Sequence, residues 1–368
     1  MSKLNVIYFK LKKTLPLFYV LLLMAACNSE VGNQLEPKGA ALGKMNEIVI
    51  ISDNDVWEGA VGDTFRYYFE SAYPIMPQPE PLFDLRHFTP EELQEQPLRK
   101  ELRTYTILAN LTDDNSATTR MVKYDLGSDK YEDAMANNET FSSVGKDKWA
   151  RGQVLIYLYG KDEKKLSQAI TKAFPAIAKR VNKHDEKQLK ASIYVDRINL
   201  GISKNIKQQF SLDIDIPGDF VTVPHKVDKG VLWLRKDTDK AIFNIVIQRV
   251  PYQDQSQLSK EGIITLRNKF GKEFVNAEDP EDIMVVDVNN LPVYEYPFTM
   301  QDNYGKELRG IWEMTNSFSA GPFNTYLILD ESKNELVYLD VFVLAPGSSK
   351  RNLMMQLDYI IKNAQLVN

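Results

Sequence analysis

Residues 46–55 read NEIVIISDND, and this stretch decides how the chain begins to fold. The run Ile48–Ile51 is apolar and β-branched without interruption, which is typical of a strand buried on both faces. The polar run Ser52–Asp55 ends that strand and supplies side chains that can cap a helix. Apolar side chains then recur at the spacing of one helix face: Trp57, Val61, Phe65, Tyr68 and Ala72. The fold is therefore expected to open as strand, acidic turn and helix.

The acidic turn holds the first candidate site residues, Asp53 and Asp55. Ligands in open α/β sheets gather beyond the carboxyl ends of strands, so carboxylates there can bind a polar ligand or a metal ion. A structural role competes with this one, because Ser52 or Asp53 can cap the helix while Asp55 complements its dipole. The turn lacks the glycine and distal glutamate of an EF-hand loop and the glycines of a dinucleotide-binding turn. We favour the structural role, predict no metal site, and keep Asp53 and Asp55 as candidate ligand or partner contacts.

A proline-rich segment follows the predicted helix, with four prolines between positions 74 and 81. These prolines impose an extended path that cannot join a central strand ladder. The next residues, 82–88, read LFDLRHF and carry Arg86 and His87. We expect a long loop that is either a recognition surface, with Arg86 and His87 as its polar contacts, or a strap over the sheet.

Strands and helices alternate through the rest of the first half. Residues 104–111 (TYTILANL) and 153–159 (QVLIYLY) are predicted strands. Residues 116–137 predict one or two helices, with an interruption at Gly127-Ser128, and Asp162 is expected to cap a long helix that Pro175 kinks. This alternation predicts an N-terminal α/β layer domain over residues 46–205.

The pattern changes in the second half. Residues 210–216 (FSLDIDI) alternate strictly between apolar and polar side chains, and short strands follow at hairpin spacing. One helix is predicted over 258–270, and Ser348-Ser349 is expected to cap a final helix. Residues 206–368 therefore predict an antiparallel sheet with helices against it, and the whole chain an α+β fold. The order of elements is loosely similar to the sandwich of the Mog-type and photosystem extrinsic protein fold.

The first 26 residues have the pattern of a bacterial lipoprotein signal peptide. Residues 3–13 carry four lysines and no acid, and residues 14–26 are almost wholly apolar. That apolar run is shorter than the roughly 20 residues that span a bilayer, so it predicts a signal and not a membrane helix. Residues 24–27 read MAAC and resemble the lipobox, in which small residues precede a cysteine that becomes acylated.

Cys27 is the predicted lipidation site. It is the only cysteine of the chain, so it has no disulfide partner, and an unpaired thiol in a secreted protein needs an explanation. The alternative is an ordinary cleaved signal followed by a chance thiol. Residues 27–45 have few side chains that could pack, and we expect them to form a flexible tether. Acyl groups on Cys27 would then hold the protein at a membrane.

The charge balance narrows the classes of partner. The chain has 45 basic and 50 acidic residues, and loss of the four signal lysines leaves 41 and 50, a net charge of −9. An acidic, unpatterned surface argues against nucleic acid as a partner and against electrostatic docking on anionic lipid. The expected location is the bacterial cell envelope, and we favour its outer membrane over its inner one. Another protein of the envelope remains a candidate partner.

Four stretches carry a resemblance to a known family: residues 43–53 (GKMNEIVIISD), 57–59 (WEG), 79–83 (PEPLF) and 87–88 (HF). They resemble a lipoprotein family of the phylum Bacteroidota, the domain of unknown function 4837, and the resemblance extends through nearly the whole mature chain. It implies an envelope lipoprotein without an assigned activity. No catalytic residue can be transferred from it.

Catalytic motifs do not rise above chance in this sequence. The three histidines, His87, His184 and His225, are isolated, and neither a G-x-S-x-G elbow nor a Walker glycine-lysine turn is present. Ser143 and Lys146 match S-x-x-K without its companion motifs. We predict no catalytic residue and no cofactor, and our leading hypothesis is a binding or accessory module. The alternatives are an envelope hydrolase that uses carboxylates near Asp53 and Asp55, and a subunit of an outer-membrane transport or assembly complex.

Overall fold

A computed structural model describes residues 38–137, 141–224, 230–275 and 279–367. The predicted signal peptide, Cys27 and the first part of the tether lie outside these ranges, as does His225. Within them, the strands form two large sheets, one in each half of the chain, and a small two-stranded pair.

The first half is built on a five-stranded sheet in the order β2-β1-β3-β5-β4. Its strands are β1 Glu47–Ile51, β2 Asp84–Phe88, β3 Thr104–Asn110, β4 Phe141–Lys146 and β5 Val154–Gly160. All neighbours run parallel except β4, which is antiparallel to β5 at one edge. Every residue of β1 is buried, which confirms the prediction of a strand enclosed on both faces.

Helices cover both faces of this sheet. They are α1 Asn54–Glu58, α2 Ala60–Phe69, α3 Pro90–Glu95, α4 Ala117–Leu126, α5 Ser128–Ala136 and α6 Glu163–Ile193, and a 3-10 turn spans Pro97–Glu101. One apolar core lies between the sheet and α2 and α6, and the other between the sheet and α3, α4 and α5. This is the α/β layer that the alternating pattern predicts.

Two predictions in the first half were wrong in detail. The single helix expected from Trp57 to Ala72 is two helices, because Gly59 adopts an extended conformation (φ −93°, ψ −169°), and Ala72 lies exposed beyond α2. Residues 84–88 form neither a loop nor a strap but the strand β2, which pairs in parallel with β1 at the other edge of the sheet. The prolines precede this strand, so they do not interrupt its ladder.

The second half is built on an eight-stranded antiparallel sheet. Its strands follow the order β10-β12-β13-β14-β9-β8-β7, and β11 pairs with the other part of β12. They are β7 Val221–Thr222, β8 Val231–Asp237, β9 Ile242–Pro251, β10 Met284–Val286, β11 Tyr294–Met300, β12 Asn303–Met314, β13 Ala320–Asp330 and β14 Glu335–Leu344. β6 Leu212–Asp213 pairs separately with β15 Gln365–Leu366.

Three helices and the end of α6 cover this second sheet. The helices are α7 Leu200–Phe210, α8 Lys260–Phe274 and α9 Arg351–Lys362, and a 3-10 turn spans Gln255–Leu258. α7 and α9 pack on one face, and α8 packs on the other. An antiparallel sheet with helices against it follows the α/β layer, which confirms the α+β fold class.

The helix α6 belongs to both halves. Its first part buries Leu166 and Ile170 against the first sheet, and its last turns bury Leu189 and Ile193 in a core of the second. The expected boundary at residues 205 and 206 falls inside α7, which packs with the second half.

In segment 210–216 the alternating pattern predicts burial correctly, but most of the segment does not pair as a strand. Phe210, Leu212, Ile214 and Ile216 are all buried, as the alternation predicts. Only Leu212–Asp213 pair as a strand, because the neighbouring segment offers two residues, in β15. Alternation reports which side chains are buried, and a ladder also needs a partner strand of equal length.

Candidate functional site

A cleft of about 490 Å³ opens where the two halves of the chain meet. One wall is α6, which contributes Lys179, Lys183 and Glu186, and the opposite wall is α9, which contributes Asp358 and Lys362. Its volume lies in the range of small-molecule sites in proteins. We call this space the inter-half cleft.

The first residues of α9 are held by the proline-rich segment of the first half. The Glu80 carboxylate accepts hydrogen bonds from the backbone N–H groups of Lys350 (2.6 Å) and Arg351 (3.0 Å). The Arg351 guanidinium donates to the Asp84 carboxylate at 2.7 Å, and Arg351 is 5% exposed. The predicted cap at Ser348-Ser349 was wrong: the N-cap residue is Lys350, whose side chain makes no cap. Glu80 supplies the acceptor that the local sequence lacks.

Asn46 ties both walls of the cleft to the first strand. It has a left-handed backbone (φ 59°), which asparagine tolerates better than most residues, and it is 1% exposed. Its backbone N–H donates to Asp185 of α6 (2.7 Å), and its side-chain amide donates to Asn352 of α9 (2.9 Å). The residue that precedes β1 therefore fixes the spacing between α6 and α9.

A network of charged side chains lies at the floor of the cleft. Arg309 on β12 donates to Glu307 Oε1 (2.6 Å) and to Asp358 Oδ2 (3.0 Å). Asp358 Oδ1 accepts from the Tyr326 hydroxyl at 2.6 Å and from the Asn324 amide at 2.5 Å. Because each carboxylate is paired and hydrogen-bonded, these charges can be accommodated in a largely buried position.

Two tyrosines beside this network keep their protons at neutral pH. Burial, together with the charge of Asp358, raises the pKa of Tyr73 to about 12, although Arg309 acts in the opposite direction. The pKa of Tyr326 is raised well above its ordinary value by the same two causes. Burial alone would lower the pKa of Arg309, but Asp358 and Glu307 outweigh it and raise that pKa. At neutral pH both hydroxyls therefore stay protonated, and the Arg309 guanidinium stays charged.

The rim of the inter-half cleft is cationic. Four cations and two carboxylates line the cleft as a whole, and the cations are Lys179, Lys183, Arg309 and Lys362. Lys362 Nζ lies 3.5 Å from Asp358 Oδ2 and 3.6 Å from Glu307 Oε1. Lys183 pairs with Glu186 at 2.5 Å, whereas Lys179 is exposed and forms no ion pair with any residue that the structure describes. A cationic cleft on an acidic protein favours a ligand that carries a negative group.

The structure places Asp53 and Asp55 in separate local contacts. Asp53 is the N-cap residue of α1, but its side chain makes no capping bond and instead accepts a hydrogen bond from the Ser116 hydroxyl. Asp55 lies in the first turn of α1, as the dipole argument expects, and accepts from the Val56 N–H at 2.9 Å.

Arg86 and His87 lie on β2 and take part in different contacts. Arg86 pairs with Glu47 at 3.1 Å. The His87 imidazole lies 3.0 Å from the Ser52 hydroxyl and stacks on Trp57 with a centroid distance of 5.0 Å. Burial lowers the pKa of His87, although the Ser52 carbonyl opposes this. Asp53, Asp55, Arg86 and His87 are not among the residues that line the inter-half cleft.

The floor residues of the inter-half cleft were not found from the sequence. Glu307 and Arg309 alternate with Leu308 on β12, and Asp358 directly follows Leu357 on the apolar side of α9. A buried charge beside an apolar stripe is a usable signal. It does not identify the partner, because Arg309 and Asp358 are far apart in the chain and meet only where α9 packs against the sheet.

Two family models match the chain. Residues 41–194 match a domain of unknown function (DUF8532), and residues 199–363 match a domain of unknown function (DUF4837). Each half of the chain is thus similar to a domain of unknown function. The second is the family that the sequence resembles, but its match does not extend through nearly the whole mature chain, and the four stretches that carried the resemblance lie in the first. The inter-half cleft is lined by residues from both matched segments.

No curated protein matches the chain. Three solved structures are similar over 43% of it, with low identity and low TM-scores. A point mutant of the protein Mog1 has 8% identity and a TM-score of 0.29 over 92% of its chain. The Saccharomyces cerevisiae Ran-binding protein Mog1p has 8% identity and a TM-score of 0.30 over 91% of its chain. LpqN, involved in cell envelope biogenesis of Mycobacterium tuberculosis, has 11% identity and a TM-score of 0.26 over 83% of its chain.

Two general searches of the described residues complete the description of the site. Within the described ranges, no helix combines the length and the hydropathy that crossing a bilayer requires. Over the same ranges, no three His, Cys, Asp or Glu side chains lie close enough together to bind a metal ion.

Proposed function

We propose that this protein is a lipid-anchored lipoprotein of a bacterial cell envelope and works as a binding module. Its ligand site is the inter-half cleft, and its ligand carries a negatively charged group. The observation that carries the proposal is the contrast between a cleft lined by four cations and two carboxylates and a chain whose net charge is negative.

The envelope address rests on the amino-terminal sequence. Four lysines, an apolar run and the residues MAAC precede and include the single cysteine, Cys27. An acyl group supplies membrane affinity that an acidic surface does not. The Bacteroidota assignment rests on the family resemblance of the sequence, and we favour the outer membrane.

Replacement of Cys27 tests the address. The variant Cys27→Ala should lose incorporation of a labelled fatty acid and move from the detergent phase to the aqueous phase on phase separation. The wild-type chain is the reference. A Cys27→Ala variant that still partitions into detergent with unchanged mobility would disprove lipidation at this residue.

Charge reversal at the rim tests the binding site. We expect tripolyphosphate, as a simple polyanion, to bind the full chain, and Lys179→Glu to weaken that binding by roughly tenfold through the reversed charge. Lys130→Glu on α5 is the matched control, since Lys130 is an exposed lysine and α5 packs on the face of the first sheet opposite to α6. Equal affinities for all three proteins, measured by calorimetry, would count against the cleft as the anion site.

A second function is favoured by one surface feature. Tyr294 (46% exposed) and Tyr296 (37% exposed) stack on each other on β11, a strand that, among the described strands, pairs with β12 alone. Exposed aromatic side chains of this kind are enriched where proteins meet. They support the alternative that the protein is a subunit of an envelope transport or assembly complex, and loss of a co-purifying partner in Tyr294→Glu, but not in Tyr67→Glu, tests it.

A further inference from the structure

The chemical character of the inter-half cleft changes along α6. The α6 residues that line the cleft recur at the spacing of one helix face: Lys179, Asn182, Lys183, Glu186 and Leu189. A rise of about 1.5 Å per residue makes this stripe about 15 Å long. Both lysines lie in its amino-terminal part and are exposed, whereas Leu189 is its last residue and is buried. The α6 wall is therefore cationic at one end and apolar at the other.

The α9 wall continues the apolar end. Met355 and Tyr359 lie one turn apart on α9, and both line the cleft. Asn46 fixes the place of Met355, because its side-chain amide nitrogen lies 3.2 Å from the Met355 sulfur while its backbone N–H donates to Asp185 of α6 at 2.7 Å. Asp185 lies one helical turn before Leu189. Leu189, Met355 and Tyr359 pack on the same apolar core, and we call these three residues the apolar section of the cleft.

The charge that a ligand can use lies at the other end. The carboxylate of Asp358 is engaged by Arg309 at 3.0 Å, so neither charge is available. Lys179, by contrast, is exposed and has no ion-pair partner among the described residues. Lys183 does pair with Glu186, but their side chains are 79% and 37% exposed. Exposed pairs of this kind contribute less than about 1 kcal/mol, so Lys183 can exchange Glu186 for an anion of the ligand at little cost.

We propose that the inter-half cleft binds an amphiphile with one anionic head group and one apolar chain. This inference rests on the proposed function and specifies the ligand class of the same site. The head group lies at Lys179 and Lys183, and the chain lies along the apolar section. A lysine ammonium acts as a point charge, so the head group is a carboxylate or a phosphate ester. The lining of α6 is a long stripe, which suits an extended chain.

Neither a bare anion nor a neutral molecule matches both ends of the cleft. An inorganic anion would leave the apolar section in contact with water, and burial of apolar surface is favourable in proportion to its area. A neutral chain would cover the apolar section but leave Lys179 without a counter-charge. A cationic head group would meet two lysines, which costs Coulomb energy.

A series of carboxylates that differ in chain length tests the apolar section. In calorimetric titrations of the full chain, affinity should rise by about tenfold from butanoate to hexanoate and again to octanoate, since each buried methylene contributes about threefold. Octylammonium and 1-octanol have the same chain without the anion and should bind about fivefold more weakly than octanoate. Octyl phosphate should also bind more tightly than 1-octanol, and the tighter of octyl phosphate and octanoate identifies the head group.

The methionine methyl groups show where the chain binds. In the full chain labelled with methyl-13C methionine, octanoate should shift the Met355 resonance to saturation. The resonance of Met314 should stay in place, because Met314 packs on the core at the opposite face of the second sheet. Met355→Leu and Met314→Leu assign the two signals.

Two variants separate the chain from the head group. Met355→Gln makes the apolar section polar at similar size, so it should weaken octanoate binding by about fivefold and leave tripolyphosphate binding unchanged. Met135→Gln, at a half-buried methionine of α5, is the matched control. Lys179→Glu should weaken the binding of both ligands by roughly tenfold. If Met355→Gln does not fold, the chain-length series on the wild type decides.

Several results would overturn the proposal. These are equal affinities for butanoate and octanoate, an octylammonium affinity equal to that of octanoate, and a shift of Met314 without one of Met355. If tripolyphosphate binding still depends on Lys179 in those cases, the anion site of the proposed function stands and only the amphiphile fails. If Lys179→Glu changes the binding of neither tripolyphosphate nor octanoate, the anion site and this inference fail together.

Discussion

Glu80 caps a helix that begins 271 residues later in the chain, at Arg351. Its carboxylate accepts from two backbone N–H groups at the helix start, where the helix dipole also favours a negative charge. Prolines on both sides of Glu80, at 79 and 81, restrict its backbone. The proline-rich segment is therefore neither a free recognition loop nor a strap over the first sheet but the piece that positions α9 against the first half.

Loss of this cap should lower the free energy of unfolding. We expect Glu80→Ala to cost about 1 to 2 kcal/mol, because two N–H groups lose their charged acceptor. Chemical denaturation followed by circular dichroism measures it. Glu70→Ala, at an exposed glutamate in the same region, is the control and should change stability by less than about 0.5 kcal/mol. Equal losses in the two variants would contradict the capping role.

Removal of one charge from the cleft floor should be more costly. Asp358→Asn leaves Arg309 with Glu307 alone, and we expect it to lower the free energy of unfolding by about 3 kcal/mol, since the charges there are 8% to 13% exposed. Asp237→Asn breaks the exposed pair with Arg235 and should cost less than about 1 kcal/mol. Denaturant titration of both variants tests the difference, and a ratio near one would argue against a coupled network.

Tyr73 should make stability depend on pH at the alkaline end. Its pKa is raised to about 12 in the folded protein from an ordinary value of 10.0, so the folded state holds the proton more tightly than the unfolded state does. The stabilisation is complete below pH 10 and is lost as pH rises towards 12, by roughly 2 kcal/mol. Tyr73→Phe should therefore show a shallower decline in the free energy of unfolding between pH 10 and 11.5. A decline equal to that of the wild type would rule out this contribution.

His87 should make the protein less stable as the pH falls below about 6.5, whereas Tyr73 acts at alkaline pH. Burial lowers its pKa below the ordinary value of 6.5, so the unfolded state binds a proton that the folded state resists. The stabilisation is present above pH 6.5 and is lost as pH falls through the folded pKa. Proton NMR of the imidazole should give a midpoint below 6.5. Because the ring stacks on Trp57, its protonation should also change the fluorescence of that indole, and Trp57→Phe should abolish this change.

Local elements were the most predictable part of the fold. Ile48–Ile51 is buried as an uninterrupted apolar run, and the interruption at Gly127-Ser128 does separate α4 from α5. These features depend on nearest neighbours in the chain, on burial of apolar side chains and on helix breaking. Strand pairing was less predictable, because the formation of β2 and of the short β6 ladder depends on which strand the fold places beside each of them.

The candidate site depended on contacts that no local pattern contains. The carboxylates proposed from sequence, Asp53 and Asp55, are engaged by Ser116 and by the α1 backbone. The inter-half cleft instead joins Asn46, Arg309 and Asp358, which come from three distant parts of the chain. A single sequence does not show which buried charged side chains form ion pairs with each other.

The sequence by itself determined most of the elements, the fold class and the charge of this protein, because these follow from local periodicity and composition. The expected address, with lipidation at Cys27, also rests on sequence alone. Only the tertiary structure decided that Glu80 caps α9, that Arg309 pairs with Asp358, and that α6 is shared by both cores. These contacts form because folding brings distant groups into one low-dielectric space, where each buried donor or charge needs a partner.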